Sequence, residues 1–234
     1  MRLNKFLANS LGISRREADE LIAGGKVTVG KSVARIGEQI SPDQLIKIGN
    51  KIVKPLLKHT YLLFNKPKGY VCSRSAQGDA STVYELLPGQ YKRLKTVGRL
   101  DKDSTGLILL TNDGDLSYQL THPKFAKEKV YLVELDEPLT SADKNAIERG
   151  VEIGDGLSKF RLQELEGSEG GNTTKTKFLV YLQEGRNRQI RRTFLALGRK
   201  VISLHRIKFG PYELGGLKIG EYREVRDEKL ATGK

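Results

Sequence analysis

Apolar residues near the start of the chain recur at helical spacing, with polar residues between them. This pattern predicts a helix over residues 3–11, which Gly12 ends. Ser14 and Glu17 have the spacing of a capping box and predict the start of a second helix, which Gly24 ends. Short apolar runs then predict two strands, over residues 26–29 and 46–48.

From residue 61 onward, short apolar runs typical of strands outnumber helical patterns. The predicted strands cover residues 61–64, 70–73, 107–110, 130–135, 151–153, 177–182, 201–204 and 219–225. Helices are predicted over residues 115–120, 141–149 and 188–197. Ser141 is the expected cap of the second of these helices. Because strands and helices do not alternate strictly, the predicted fold class is α+β, with a mixed, mainly antiparallel sheet flanked by helices.

Two stretches predict breaks in this pattern. Residues 51–59 mix charged and apolar residues around Pro55, and we place a domain boundary there. The prediction is a small N-terminal domain with its linker, residues 1–58, and a larger domain, residues 59–234. A polar loop is expected over residues 167–174, and a frayed end over residues 227–234.

The chain is strongly basic: its 234 residues include 41 Lys or Arg and 28 Asp or Glu, a formal net charge of +13. A surplus of this size favours a polyanionic partner such as nucleic acid. The first 60 residues hold eleven basic and five acidic residues, and residues 183–208 hold eight basic residues and one acidic residue. The second group is mostly arginine, whose guanidinium suits phosphates and base edges.

The single cysteine and the three histidines exclude several kinds of site. Cys72 alone forms neither an internal disulfide nor a zinc site of several cysteines, and we expect it to be a small buried residue. His59, His122 and His205 lack the spacing of metal ligands. No apolar run approaches a membrane span and no signal peptide is recognisable, which predicts a cytoplasmic protein. The positions of the cysteine and the histidines predict that the protein has no metal site.

The N-terminal residues resemble a known RNA-binding module. Residues 2–7 (RLNKFL), 14–18 (SRREA) and 25–29 (GKVTV) are similar to the S4 domain. The resemblance implies two packed helices and a small strand cluster, with a basic helix face on structured RNA. Arg15 and Arg16 lie in a first helical turn, where the helix dipole disfavours cations. Phosphate contact explains them, and plain solvent exposure is the alternative. The RNA-binding residues expected here are Arg2, Lys5, Arg15, Arg16 and Lys26.

Two carboxylates lie in the loop before the predicted strand 107–110. From the local residues alone, Asp101 and Asp103 cap a turn or pair with Arg99. The surrounding cations and the lack of a third nearby acidic residue argue against a magnesium site. The local sequence therefore leaves a structural role and an acid–base role open.

Five motifs, in this order, resemble one enzyme family. They are residues 65–69 (NKPKG), 98–101 (GRLD), 104–107 (STGL), 129–133 (KVYLV) and 184–192 (EGRNRQIRR). Together they are similar to the pseudouridine synthases that modify ribosomal RNA, in the branch with an N-terminal S4 domain. The resemblance covers nearly the whole chain and implies an isomerase with an active-site cleft in its larger domain.

The resemblance also implies roles for particular residues. Asp101 is the implied catalytic aspartate, Tyr131 is implied to lie against the uracil ring and to act as base at C5, and Arg191 is implied to pair with Asp101. Asp103 is interpreted as structural. Further RNA-binding residues are expected at Arg99, Lys102, Arg186, Arg188 and Arg192.

The implied reaction breaks the N1–C1′ bond of a uridine, rotates the uracil and rejoins it through C5. Asp101 attacks C1′ or removes the 2′ proton, and the sequence leaves both routes open. A paired arginine favours an ionised carboxylate, and the uridine must be flipped out of its stack into a pocket. No cofactor is expected. The expected partner is ribosomal RNA or a pre-ribosomal particle, bound by a monomer away from membranes.

The particular RNA is predicted from weaker features. Residues 185–188 and 205–210 favour large-subunit ribosomal RNA, and this is our main prediction; the overall length favours the small-subunit enzyme instead. A non-catalytic S4-type binding protein or ribosome assembly factor is the alternative class. The presence of Asp101, Tyr131 and Arg191 together favours the enzyme.

Overall fold

A computed structural model divides the chain into two compact units. The first unit comprises Met1–Thr60 with two short segments, Arg93–Lys95 and Thr111–Gly114. The second unit comprises the remaining segments, Tyr61–Lys92, Thr96–Leu110 and Asp115–Lys234. The domain boundary that we place after residue 58 stays a prediction.

The described residues are 1–56, 58–74, 78–165 and 176–225. The polar loop expected over residues 167–174 and the frayed end expected over residues 227–234 lie outside them. No helix in the described part of the chain is long and apolar enough to cross a membrane.

The first unit begins with the two helices that the apolar spacing predicts, α1 (Leu3–Leu11) and α2 (Arg15–Ala23). Gly12 ends α1 with φ +72°, a left-handed conformation that favours glycine. The capping box is confirmed: the Ser14 hydroxyl accepts from the Glu17 amide at 3.1 Å, and the Glu17 carboxylate accepts from the Ser14 amide at 2.6 Å. Local chemistry therefore sets both helix boundaries.

A small antiparallel sheet completes the first unit. Its strands are β1 (Val27–Val29), β2 (Ser32–Val33), β3 (Ile46–Ile48) and β4 (Lys51–Ile52), in the order β2-β1-β3-β4. The apolar faces of α1 and α2 pack on this sheet and bury residues such as Leu3, Leu7, Ala18, Ile22, Val27 and Ile46. Burial of this apolar surface, rather than helix propensity, is the main stabilising contribution for helices of only nine residues.

A larger mixed sheet forms the scaffold for the rest of the chain. Among the described residues its nine strands are β5 (Tyr61–Lys66), β6 (Lys95–Val97), β7 (Thr105–Thr111), β8 (Lys129–Leu135), β11 (Arg161–Glu164), β12 (Lys177–Leu182), β13 (Val201–Phe209), β14 (Tyr212–Glu213) and β15 (Tyr222–Val225). The order is β11-β12-β8-β13-β7-β5-β15, with β14 on β13 and β6 on β7. A separate pair is formed by β9 (Val151–Glu152) and β10 (Leu157–Ser158).

Pairing within this sheet is mainly antiparallel, and β13 runs parallel to β7. The predicted α+β class with a mixed, mainly antiparallel sheet is therefore confirmed. The accompanying helices are α3 (Gly114–Thr121), α4 (Ser141–Arg149) and α5 (Gln189–Ala196). Short 3₁₀ helices cover Val83–Leu86, Gly89–Tyr91 and Pro123–Phe125.

Several predicted boundaries differ from the structure. The cap of α4 is Thr140, not Ser141, because the Thr140 hydroxyl and the Asp143 carboxylate form a second capping box. Strand β13 continues to Phe209 because β8, β7 and β14 pair with it along that length. Residues 70–73 form no strand; Val71 makes an isolated bridge to Thr82.

Strand β5 also continues past its predicted end, through Asn65 and Lys66, and both are buried. Their side-chain nitrogens have partners inside the protein, while Asn65 Oδ1 is buried without a hydrogen-bond partner among the described residues. The Asn65 amide nitrogen donates to the Leu217 carbonyl at 2.8 Å, and the Lys66 ammonium donates to the Pro67 and Ser104 carbonyls at 2.9 and 2.8 Å. Burying polar groups is tolerated when they are hydrogen-bonded in this way.

The parallel contact between β7 and β13 requires a glycine. Gly106 pairs with Arg206 and has φ +106°. A Cβ atom at Gly106 would lie 2.3 Å from the Arg206 carbonyl oxygen and 2.5 Å from its nitrogen. Both are backbone atoms, so no side-chain rotation relieves the clash.

Gly106→Ala is therefore expected to destabilise the protein by about 3 kcal/mol or more, since strained backbone and overpacking each cost about 1–3 kcal/mol. Urea denaturation followed by circular dichroism measures the change. Gly216→Ala is the matched control, because Gly216 has open space around its Cβ position, and we expect a change within about 0.5 kcal/mol. Equal midpoints for the two variants would contradict this account of the β7–β13 contact.

Candidate active site

A cleft of about 320 Å³ lies in the second unit. Its walls come from the loop between β6 and β7, the start of β8, the segment before α5 and the middle of β13. The residues that bear on its chemistry are Arg99, Asp101, Lys129, Tyr131, Arg188, Arg206 and Phe209. Two of the three predicted catalytic residues, Asp101 and Tyr131, thus line the same cleft.

The loop that carries Asp101 is held by backbone hydrogen bonds. The Ser104 amide donates to the Asp101 carbonyl at 3.1 Å, and the Gly69 amide donates to the Lys102 carbonyl at 2.8 Å. Just before the aspartate, the Leu100 amide donates to the Cys72 sulfur at 3.4 Å. Burial raises the pKa of the Cys72 thiol, so it remains protonated and unreactive at neutral pH.

Lys66 supports the same loop from inside the protein. Its side chain is fully buried, and its ammonium donates to the Ser104 carbonyl. Burial lowers the pKa of Lys66, while Cys72, Asp101 and Asp103 act in the opposite direction. The lysine therefore places a polar contact and a positive charge beneath the two aspartates.

Asp103 is bound by two arginines. Arg188 donates to both carboxylate oxygens, at 2.9 and 3.0 Å, in a bidentate arrangement. Arg191 approaches the same carboxylate with Nε at 3.4 Å, and its Nη2 donates to the Asp103 carbonyl at 3.1 Å. The Arg188 hydrogen bonds lower the pKa of Asp103; burial opposes this effect and Arg191 adds to it.

This arrangement corrects the expected pairing of Arg191 with Asp101. Among the described ion pairs, Arg191 contacts Asp103, and the arginine nearest to Asp101 is Arg188, whose Nη1 lies 3.9 Å from Oδ2. Arg188 directly precedes α5 and Arg191 lies in its first turn, and both side chains reach the Asp103 carboxylate. Asp103, interpreted from the sequence as structural, is the residue that joins the two.

Arg188 adopts an unusual backbone conformation to make these contacts. Its φ is +48°, in the left-handed region that non-glycine residues rarely occupy. The residue precedes α5 and caps it without a side-chain hydrogen bond. Strain of this kind persists where surrounding contacts overdetermine the conformation, and here the Asp103 pair supplies such contacts.

Tyr131 reaches the cleft from β8. Its backbone is paired with Val180 on one side and Arg206 on the other, and its side chain is buried. Side chains two residues apart on a strand share a face, so Lys129 and Tyr131 both line the cleft. The sheet register thus places the Tyr131 ring and the Lys129 ammonium on the same wall of the cleft.

Two cations that were not predicted from the sequence, Lys129 and Arg206, lie near the Phe209 ring. We call the part of the cleft formed by these three residues its floor. The Lys129 ammonium lies 5.5 Å from the Phe209 ring centroid, and the Arg206 guanidinium carbon lies 4.7 Å from it. Burial lowers the pKa of Lys129 to about 8, with repulsion by Arg206 adding to the effect and Glu184 opposing it. The signal was present in the sequence, since Lys129 opens the 129–133 motif.

Arg206 is only 2% exposed. Its Nε donates to the Leu107 carbonyl at 2.7 Å, while its Nη2 is buried without a hydrogen-bond partner among the described residues. A buried charge without a full set of partners is costly. Arg206 therefore brings into the cleft a positive charge whose hydrogen bonds are only partly satisfied by the described residues.

Three of the arginines predicted to bind RNA are engaged within the protein: Arg188 binds Asp103, as described above, and Arg186 and Arg192 bind Asp155. Arg186 lies 3.2 Å from the Asp155 carboxylate and 3.1 Å from Glu184. Arg192 lies 2.8 Å from Asp155 and donates to the Ile153 carbonyl at 3.0 Å. The Asp155 contacts tie α5 and the segment before it to the turn between β9 and β10. RNA binding by all three arginines stays a prediction.

The other predicted RNA-binding residues fall in two places. Arg99 and Lys102 are exposed in the loop around Asp101. The remaining five, Arg2, Lys5, Arg15, Arg16 and Lys26, all belong to the first unit. Arg15 and Arg16 are exposed in the first turn of α2, and Arg15 donates to the Asn4 side chain at 3.2 Å.

Metal binding finds no support in the described part of the chain, where no group of three or more His, Cys, Asp or Glu side chains is arranged to hold an ion.

Comparison with known proteins gives matches to both units. The family model described as RNA pseudouridylate synthase matches residues 60–196, and the model of the S4 domain matches residues 1–46. The ribosomal small subunit pseudouridine synthase A of Pasteurella multocida is 38% identical over 235 residues, covering 99% of each chain. The protein of the same description from Escherichia coli K12 is 34% identical over 234 residues, again covering 99% of each.

A solved structure is similar over the same extent. The crystal structure of a pseudouridylate synthase matches with a TM-score of 0.69 and 32% sequence identity, covering 99% of this chain and 98% of that one. The chain belongs to the RNA pseudouridylate synthase family, a family of RNA isomerases, and carries an S4 domain at its N-terminal end.

The charged floor of the cleft leads to a prediction that requires no substrate. Replacing Arg206 by Met removes the like charge beside Lys129, so the pKa of Lys129, about 8 in the native protein, is expected to rise. Reductive ¹³C-methylation followed by NMR titration measures it. Arg223→Met, at an exposed arginine on β15, is the control and should leave the value unchanged. A pKa that does not rise in Arg206→Met would exclude Arg206 as a cause of the shift.

Proposed function

We propose that this protein isomerises a specific uridine of small-subunit ribosomal RNA to pseudouridine. Both curated relatives described above act, by their names, on the small ribosomal subunit, and each aligns over 99% of this chain. The overall length of the chain already favoured this alternative. The main sequence-based prediction, large-subunit RNA, is not supported by these relatives.

The structure gives a physical reason why the large-subunit cues were weak. Those cues were residues 185–188 and 205–210. Within them, Arg186 pairs with Asp155, Arg188 pairs with Asp103, and Arg206 is buried. These side chains serve the fold and the cleft, and such contacts carry no information about which RNA is bound.

The observation that carries the proposal is the shared cleft of Asp101 and Tyr131. Its volume of about 320 Å³ lies at the lower end of the range for small-molecule sites and suits one flipped nucleoside. Asp101 would act at the sugar, where Arg188 supplies a positive charge 3.9 Å from its carboxylate. Tyr131 would lie against the uracil and accept the C5 proton.

The cationic floor suits the charge that this reaction develops. When the N1–C1′ bond breaks, the departing uracil carries negative charge that is shared between its nitrogen and carbonyl oxygens. Lys129 and Arg206 flank the Phe209 ring in the cleft. Positive charges held in a water-poor site stabilise such an anion more strongly than the same charges in water.

We propose that the S4 domain contributes affinity for the RNA. Arg15 and Arg16 lie exposed in the first turn of α2, and Arg2 and Lys26 are exposed in the same unit. Double-helical RNA is recognised largely through its shape and phosphates. These residues would then add binding energy without choosing the uridine.

Asp101→Asn is expected to abolish pseudouridine formation, by at least about 10³-fold, because the amide neither attacks C1′ nor accepts a proton. RNA binding should be nearly unchanged, since one neutralised cleft residue leaves the exposed cations in place. Tritium release from [5-³H]uridine-labelled transcript and filter binding measure the two quantities.

Asp103→Asn is the matched control for Asp101→Asn. Asp103→Asn keeps Asp101 but weakens the Arg188 and Arg191 contacts. Compared with Asp101→Asn, its turnover should therefore fall less and its melting temperature should fall more. Near-normal turnover by Asp101→Asn would overturn the catalytic assignment of this residue.

Pseudouridine mapping tests the proposed substrate. In cells that lack this gene, one uridine of the small-subunit ribosomal RNA should lose its modification, because a single specific cleft selects a single site. The wild-type gene should restore the modification and the Asp101→Asn gene should not. Loss of a large-subunit site alone would reject the small-subunit proposal.

A further inference from the structure

A second recess, of about 480 Å³, lies beside the catalytic cleft in the second unit. Its walls come from α5 with the turn that follows it, the start of β13 and the loop after β5. Arg188 lines both the recess and the cleft, so the two are neighbours through one side chain. We call this recess the Leu195–Ile202 groove, after the two exposed apolar side chains that line it.

The apolar surface of the groove is exposed. Leu195 is 68% exposed and Ile202 is 54% exposed, and both line the same recess. Exposed aliphatic side chains that line one recess next to a cleft are typical of a surface that binds a partner, because binding removes their apolar area from water.

The charged side chains of the groove are nearly all positive. Its five cations, Lys68, Arg188, Arg191, Arg199 and Lys200, are accompanied by one carboxylate, Asp103. The three arginines are engaged within the protein: Arg188 and Arg191 bind Asp103, and Arg199 lies 3.4 Å from Asp143 and 3.8 Å from Glu137. The two lysines are exposed, and neither forms an ion pair among the described residues.

We propose that the Leu195–Ile202 groove binds the RNA strand next to the uridine that enters the cleft. A flanking base would pack on Leu195 and Ile202, and the phosphates on either side would contact Lys68 and Lys200. This inference rests on the proposed RNA isomerase function. The groove carries mainly positive charge, which complements a polyanion, and it is continuous with the cleft through Arg188.

The chemistry of base flipping explains why such a groove is needed. Extruding a uridine breaks its stacking with its neighbours and bends the backbone around it. An apolar surface next to the pocket covers the neighbouring base that has lost its stacking partner, and lysines beside it hold the displaced phosphates. The contact is tolerant of sequence, because every base has an apolar face and every nucleotide a phosphate.

The salt dependence of RNA binding tests the phosphate contacts. For single strands, each phosphate contact contributes about 0.7 to the slope of log K against log salt, so Lys68→Gln with Lys200→Gln should reduce the slope by about 1.4. The probe is an in vitro transcript of the small-subunit ribosomal RNA. Lys218→Gln is the control, since Lys218 is an exposed lysine outside the groove, and its slope should equal that of the wild type.

The apolar contact is tested with Ile202→Ser, which should raise KM for the transcript three- to tenfold and leave kcat nearly unchanged, because a flanking contact adds the same energy to ground state and transition state. Ile219→Ser is the matched control, at a side chain that is 61% exposed outside the groove. A photo-crosslinker placed at Ile202 should react with the nucleotide adjacent to the isomerised uridine.

The outcomes distinguish the two proposals. If the wild-type protein forms no pseudouridine in any ribosomal RNA, the proposed function fails. If the wild type is active but the groove variants match their controls in slope and KM, the groove is not an RNA site. Crosslinking at Ile202 to a protein, with no RNA adduct, would likewise reject this inference.

Discussion

The ion pairs at Asp103 are the contacts on which the cleft of Asp101 and Tyr131 depends. The loop between β6 and β7 and the start of α5 lie 85 positions apart in the chain at Asp103 and Arg188, and the bidentate pair joins them. A geometry with two parallel hydrogen bonds fixes orientation as well as distance.

From beneath, Lys66 holds the same loop through the Ser104 carbonyl. Asp101 is therefore carried by a loop that is fastened on both sides, and its carboxylate is left facing the cleft.

The cations in the cleft have fewer partners than the arginines that bind Asp103. Arg188 and Arg191 both bind the Asp103 carboxylate, whereas Arg206 in the cleft is buried with one nitrogen that has no partner among the described residues, and burial lowers the pKa of Lys129. An arrangement that is unfavourable in the free protein becomes favourable when a negative charge enters or develops beside it. The same property that makes the floor costly for folding makes it suited to an anionic leaving group.

The division between motifs and their surroundings also explains why the sequence-based prediction of large-subunit RNA finds no support among the relatives. The motifs from residue 65 to residue 192 indicate an RNA isomerase because they supply the parts of one reaction, and the family match agrees. We expect the choice of RNA to depend on surfaces other than the residues that carry the chemistry. A cue drawn from residues that the fold itself uses, such as Arg186 and Arg206, has no bearing on that choice.

The sequence by itself determined the local structure, because the interactions responsible act over a few residues. The capping box of Ser14 and Glu17, the left-handed Gly12 and the apolar run of β7 were predictable for this reason. Only the tertiary structure decided that Arg191 contacts Asp103, that Lys66 ends a buried strand and that Arg206 lies at the floor of the cleft. Those outcomes depend on partners far away in the chain, and spacing along a sequence does not reveal which of several carboxylates or carbonyls a long cationic side chain will reach.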